Sequence, residues 1–386
     1  MADFASLEWY AMVANTISQI YLEELGRPAD VGGAANWLFH AREGGKDADW
    51  IRARIRELEE WHHRHDRPAA VNLPRLVPAG GVFRTDAGGR FTAIEASDFN
   101  LFGRFIKEGP DAIEPILQER AAVGFNMLRV WGVYSGNPTF ELEIGRLLPS
   151  EHADYYDKLP QFLSLCAAHG LYVEFTAFTA GPVPGHWEKC GEALRDVSNV
   201  IVELANENDA HPSANLPNIQ DYRPLPGIIC SHGSNGSQAV PPRPAWDYEV
   251  FHTNDAFEWW RKGGHNGMEL SQGAEGIAAS HKPVIANENT RPDRDGNASH
   301  HEDAAAACAL LIAGSCFHSQ SGKKSALFSP NDRRFAEAHV RGARSVNLEC
   351  QEGRYEHPAA LETPDLLRVY QKVLPDGRRE TVKIRK

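Results

Sequence analysis

From residue 93 onward, short apolar runs of strand length alternate with stretches of helical period. The runs are 93–96, 126–130, 172–177, 200–205, 227–230, 248–252, 283–287 and 314–318. Near-continuous apolar runs of this kind are what parallel strands show when both faces are buried. Between them, segments such as 112–123 and 159–169 place apolar residues three and four apart, the spacing of one helix face. Strands that alternate with helices predict βα units. Eight such strands over roughly 250 residues match the size of a (β/α)8 TIM barrel, so an α/β fold is expected.

The first 66 residues follow a different pattern. Trp9, Val13, Ile17, Ile20 and Leu25 fall at helical spacing, and Gly26 with Pro28 supplies a stop. A second helix is predicted over 34–42, ending at Gly44-Gly45. A third begins near Asp47 or Asp49 and carries Ile51, Ile55, Leu58 and Trp61 on one face. Three short helices can bury one another's stripes, so residues 1–66 are read as a small all-α module. The run from Tyr21 to Asp30, with Trp37 and Ile55, resembles a helical domain related to phycobilisome linkers, over about 50 residues. His62, His63 and His65 point away from one another on a helix and read as a solvated helix end rather than a metal site.

A linker marked by Pro68, Pro74 and Pro78 leads to Val82–Thr85, a Gly88-Gly89 turn and Arg90–Thr92. This is a predicted hairpin of the sort that plugs the bottom of a barrel. The barrel itself is assigned to 67–345. In the remaining 346–386, Leu367–Leu374 and Glu380–Ile384 flank an Asp376-Gly377 turn, predicting a β-hairpin extension packed on the barrel.

Composition narrows the class. The 386 residues carry a formal charge of −12, and no basic stripe is visible, which argues against a nucleic-acid partner. No run approaches the length of a membrane span. The N-terminus lacks the basic and apolar regions of a signal peptide, which leaves localisation open. Six cysteines are scattered without a CxxC pair, indicating neither a zinc knuckle nor a dense disulfide framework; Cys308 and Cys316 read as small core residues.

The candidate chemistry sits at two strand ends. Ala205-Asn206-Glu207-Asn208 follows the run from Val200, and the same four residues recur as Ala286-Asn287-Glu288-Asn289 after Pro283-Val284-Ile285. In a barrel the C-terminal strand ends share one mouth, so Arg129, Trp131, Asn206, Glu207, His252, Glu288 and His318 are expected to converge. Two carboxylates from different strands suit glycoside hydrolysis, one protonating the leaving oxygen while the other attacks the anomeric carbon. For a lone Glu the blander reading, a solvated strand-end carboxylate, would be favoured; the repeated tetrapeptide turns the balance. Trp131, Trp187 and Trp246 are candidate sugar platforms, whereas Trp259-Trp260 reads as core. Glu174 and Glu203, inside strands, are expected to be ion-paired core residues, or rival carboxylates if the strand ends are displaced.

Asn100-Leu101-Phe102, Gly124–Trp131, Asn206-Glu207 and Pro283–Glu288 together resemble clan A glycoside hydrolases, and most closely their family 5, over about 80–330. The resemblance implies Glu207 as general acid/base, Glu288 as nucleophile of a retaining double displacement, and Asn206 holding the sugar 2-hydroxyl. It further implies that Arg129 keeps Glu288 ionised and that His252 contacts substrate, with no cofactor and no metal. The chain departs from the family pattern at strand three, which lacks a histidine. It departs again at Asn254, where a tyrosine is usual, at Phe317-His318, where a tryptophan is usual, and at Asn289 after the nucleophile.

The expected substrate is a polysaccharide or oligosaccharide of β-glucan or β-mannan type, with the oligomeric state left open. The alternatives are a non-catalytic glycan-binding barrel of a surface or virion-like assembly, and a metal-dependent hydrolase using His232, His252 and His318. The latter ranks last because strand one carries no His-x-His pair.

Overall fold

The computed structural model describes residues 7–25, 29, 31–56, 72–134, 145–179, 181–206, 216, 219–233, 245–252, 282–288, 291–293, 296–345, 354–356, 366–373 and 379–385. The chain divides into two compact units, 1–71 and 72–386.

The first unit has three helices, α1 (Leu7–Leu25), α2 (Val31–Gly44) and α3 (Ala48–Ile55). Their apolar stripes meet in a small core of Ile17, Ile20, Tyr21, Trp37, Ile51 and Ile55. Trp37 donates its indole N–H to the Tyr21 hydroxyl at 2.8 Å, so the two buried polar tips satisfy each other. Asp47 caps α3 by accepting from the Trp50 amide at 2.9 Å. Gly45, just past α2, takes φ +60°, a left-handed turn that stops the helix as its Gly-Gly pair predicts.

The second unit begins with a three-stranded antiparallel sheet: β1 (Leu76–Ala79), β2 (Val82–Thr85) and β3 (Arg90–Phe91). Eight strands follow: β4 (Ala93–Ser97), β5 (Met127–Trp131), β6 (Tyr172–Phe178), β7 (Val200–Ala205), β8 (Cys230–Gly233), β9 (Glu249–His252), β10 (Val284–Glu288) and β11 (Gly314–Phe317). They form one parallel sheet in the order β8-β7-β6-β5-β4-β11-β10-β9. Asp247 bridges the two ends of that order. Its amide donates to the Cys230 carbonyl and its carboxylate accepts from the Cys230 amide, each at 2.9 Å. The result is an eight-stranded (β/α)8 barrel, and the helices Glu114–Val123, Tyr155–Ala168, His186–Leu194, Ala298–Leu311 and Pro330–Ser345 alternate with its strands.

Alternation along each strand separates two cores. Ile94, Leu128, Val173 and Val202 belong to the large cluster that includes the helices, whereas Ala93, Met127, Tyr172 and Ile201 belong to a second cluster. That second cluster also holds Tyr248 and Ile285, and it is closed by Leu76, Phe83 and Phe91 from the β1–β3 sheet. The hairpin therefore packs on the N-terminal end of the barrel interior.

Beyond the barrel, β12 (Arg354–Glu356), β13 (Leu366–Val373) and β14 (Arg379–Arg385) make a second antiparallel sheet. The expected hairpin is its β13–β14 pair, and β12 adds a third strand. Cys166, Cys190, Cys230, Cys308 and Cys316 are buried, and no disulfide joins any two of them. No helix among the described residues is long and apolar enough to cross a membrane.

Candidate active site

Above the apolar floor the barrel interior changes character. One step of two residues toward the strand ends replaces Ala93, Met127, Tyr172 and Ile201 with Glu95, Arg129, Glu174 and Glu203, all fully buried. A single guanidinium thus faces three carboxyl groups. Arg129 directs Nη2 and Nε at Oε2 of Glu203, at 2.8 and 3.2 Å, and the Thr176 hydroxyl donates to the same oxygen at 2.6 Å. Glu174 lies farther from Arg129, at 3.7 Å, and accepts from the Tyr248 hydroxyl at 2.9 Å. Burial, with Glu174 nearby, holds the Tyr248 phenol well above its usual range, so it remains a donor.

Among the described residues, neither carboxyl oxygen of Glu95 has a hydrogen-bond partner. Burial raises its pKa well above the ordinary 4.5, and the charge of Glu174 adds to that, against the pull of Arg129 and the neighbouring Cys316 thiol. The protonated form of Glu95 is thereby favoured inside the barrel. Cys316, across from it in register, is likewise kept a neutral thiol by burial.

The next level is the mouth. Asn206 follows the last residue of β7, and its amide donates to the Phe178 carbonyl at 3.0 Å. Arg129 reaches up to it through Nη2, which donates to Oδ1 at 2.6 Å. Gly233, ending β8 with φ +99°, leaves room here, because a Cβ at that position would run into the Ala205 carbonyl. Trp131, ending β5, stacks on Phe99 with ring centroids 4.0 Å apart and planes 10° apart. His318, one residue past β11, continues that aromatic row, 5.1 Å from Phe99, and its Nδ1 shares a 2.7 Å hydrogen bond with the Ser97 hydroxyl. The loop after β4 that carries Phe99 is fixed by the buried pair of Asp98 with Arg120, at 2.9 and 3.0 Å.

Of the residues expected at the mouth, the structure brings Arg129 and Asn206 into contact, and packs both Trp131 and His318 against Phe99. Glu288 is the last residue of β10 and is paired in register with His252, the last of β9. The side chains of both, and Glu207 altogether, lie outside the described residues, as do Trp259, Trp260 and Asn254. Glu174 and Glu203 are core residues paired with Arg129, in line with their position inside strands. Glu95 was not singled out in the sequence. Its signal was present all the same: a Glu two residues into a buried run, in phase with Glu174 and Glu203 once the strands are aligned.

No three His, Cys, Asp or Glu side chains among the described residues are placed to hold a metal ion. His232 faces the Trp246 ring edge-on at 5.2 Å, while His318 is engaged with Ser97.

No protein-family model matches the chain, and no curated protein does. Solved structures do resemble it. A glycoside hydrolase family 5 mannosidase from Rhizomucor miehei superposes with a TM-score of 0.52 at 11% identity, over 72% of this chain and 100% of that one. The same fungus's family 5 mannosidase in complex with mannosyl-fructose gives 0.51 at 11% identity, over 72% and 99%. A family 5 glycoside hydrolase from Bacteroides vulgatus gives 0.51 at 13% identity, over 78% and 80%. At such identities the likeness establishes the shared barrel fold.

Proposed function

We propose that residues 67–345 form the catalytic barrel of a retaining β-glycosidase, with Glu207 as general acid/base and Glu288 as nucleophile. The observation that carries this reading is the Arg129–Asn206 contact. Asn206, the residue that follows β7, is held by a buried guanidinium in a barrel whose β10 ends at Glu288, which supports a site built around Asn206 and these strand ends. Asn206 is then the group that meets the hydroxyl beside the anomeric carbon, and Arg129 supplies positive charge beneath the attacking carboxylate. The solved structures of like fold are mannosidases among others, so β-mannosides and β-mannans are the first substrates to try, with β-glucans next. Phe99, Trp131 and His318 pack into a buried aromatic cluster at the strand ends, where this chain departs from the usual tryptophan.

The test is hydrolysis of aryl β-mannosides, aryl β-glucosides, mannan and β-glucan by the wild type, Glu207→Gln and Glu288→Gln. Each variant should fold and lose at least about 10³-fold in kcat, with the anomeric configuration of the wild-type product retained. Undiminished turnover in either variant would sink the assignment. Binding of these glycans without turnover by the wild type would favour the glycan-binding barrel.

A further inference from the structure

Arg129 has no acceptor atom, so the Asn206 atom it touches must be the amide oxygen. That contact settles an orientation that an amide would otherwise be free to reverse. With Oδ1 held inward, Nδ2 and its two hydrogens face the other way, as a donor to whatever enters the mouth. Arg129 can hold Asn206 only while it is itself held. Its two bonds to Glu203 do that, and the Thr176 hydroxyl locks the shared Glu203 oxygen from a third direction.

From this chain of contacts we propose that Glu203 is a positioning residue: it clamps Arg129, and Arg129 in turn fixes which way the Asn206 amide faces. The identity of what Asn206 meets, a sugar hydroxyl, rests on the glycosidase reading above; the clamp itself does not. Glu203 touches neither substrate nor a reacting atom. It lies two residues before Ala205, the last residue of β7, and is fully buried, so it acts wholly through its neighbours. Among the described residues, a competing partner for the guanidinium is Glu174, whose carboxyl stands 3.7 Å from Nε. A neutral amide at position 203 would no longer hold the guanidinium against that pull. Arg129 would turn toward Glu174, withdraw from Oδ1, and leave the Asn206 amide free to reverse.

The experiment pairs crystal structures of the wild type and Glu203→Gln with a double-mutant cycle over Glu203→Gln and Asn206→Ala. In the Glu203→Gln crystal the Arg129–Asn206 contact should lengthen beyond hydrogen-bond range, with the barrel unchanged. In kinetics on the best substrate of the panel, Glu203→Gln should lower kcat about 10- to 100-fold with little change in KM, because a hydroxyl contact that strengthens in the transition state is lost. In the Asn206→Ala background the same substitution should cost no more than about twofold. A merely structural carboxyl would lower thermal stability while costing the same factor in both backgrounds, and that additive result overturns the proposal. So does an Arg129–Asn206 contact that survives in the variant crystal. Should the wild type hydrolyse nothing on the panel, the glycosidase reading fails by itself, and the crystal structures still decide whether Glu203 holds Arg129 on Asn206.

Discussion

Two neighbouring levels of the barrel interior are built from the same strands and the same alternation, yet they do opposite things. The lower level, Ala93, Met127, Tyr172, Ile201 and Ile285 with Phe83 beneath, is held by packing. The upper level, Glu95, Arg129, Glu174 and Glu203, is held by electrostatics and hydrogen bonds. A step of two residues separates them along each strand, on the order of 7 Å. The contrast fits the division of labour in such barrels, where the N-terminal end serves stability and the C-terminal ends serve chemistry. It also shows that the division can begin well below the mouth. The polar level is fully buried, so it contributes nothing by touching solvent or substrate directly. Its value lies in presenting Asn206 from below with a fixed orientation.

The sharpest way to break the contrast is to remove its one cation. Arg129→Met fills a similar volume but leaves Glu203 and Glu174 without their counter-ion. Loss of one partner of a buried pair costs about 3–5 kcal/mol. Denaturant unfolding at neutral pH should report that loss together with abolished turnover, and part of the stability should return in acid, where carboxyls can protonate. A deficit equally large at acid pH would mean that packing around the Arg129 stem, rather than its charge, holds this level together.

The lower level should respond differently. Phe83 is fully buried, and its ring meets that of Tyr248 at 5.8 Å. Phe83→Ala should cost about 3–5 kcal/mol by leaving a cavity, with the deficit independent of pH. Turnover of the folded fraction should stay within a few-fold of the wild type. A large fall in kcat at full folding would show that the two levels are mechanically coupled rather than separate.

Much of this architecture was legible beforehand, for physical reasons that differ from strand to strand. The runs at 172–177 and 200–205 lie within one residue of β6 and β7, because strands buried on both faces admit few polar residues. The run at 227–230 begins three residues before β8. Gly227 has φ +75° and belongs to the turn, while the real strand, Cys230-Ser231-His232-Gly233, is too small and polar to stand out. The short β12 gave no periodic signal at all. At the site, Arg129 and Asn206 stood out as strand-end residues, but the partner that Arg129 shows here, Glu203, could be recognised only as a carboxyl inside a strand. Register across four strands is needed to bring Glu95 to the same level, and no single stretch of sequence carries that information.

Glu95 provides the finest test of the comparison, because its effect depends on pH rather than on size. Below about pH 4.5 its carboxyl is protonated in both the folded and the unfolded chain and affects neither. Above that, the unfolded chain releases the proton while the buried carboxyl, held well above its ordinary range, keeps it. Folding then takes up a proton, so stability falls as pH rises, by at most about 1.4 kcal/mol per pH unit, until the folded group itself ionises. Asp98, raised to about 6 by burial despite Arg120, contributes a slope of the same sign in its own window, and this cancels when two variants are compared. Glu95→Gln mimics the protonated acid in shape and cannot ionise. It should match the wild type near pH 4.5 and become progressively the more stable of the two as pH rises. Denaturant midpoints measured from pH 4.5 to pH 9 would read the difference directly. Parallel curves would mean that Glu95 is ionised inside the folded barrel, and that the upper level carries more negative charge than one guanidinium can balance.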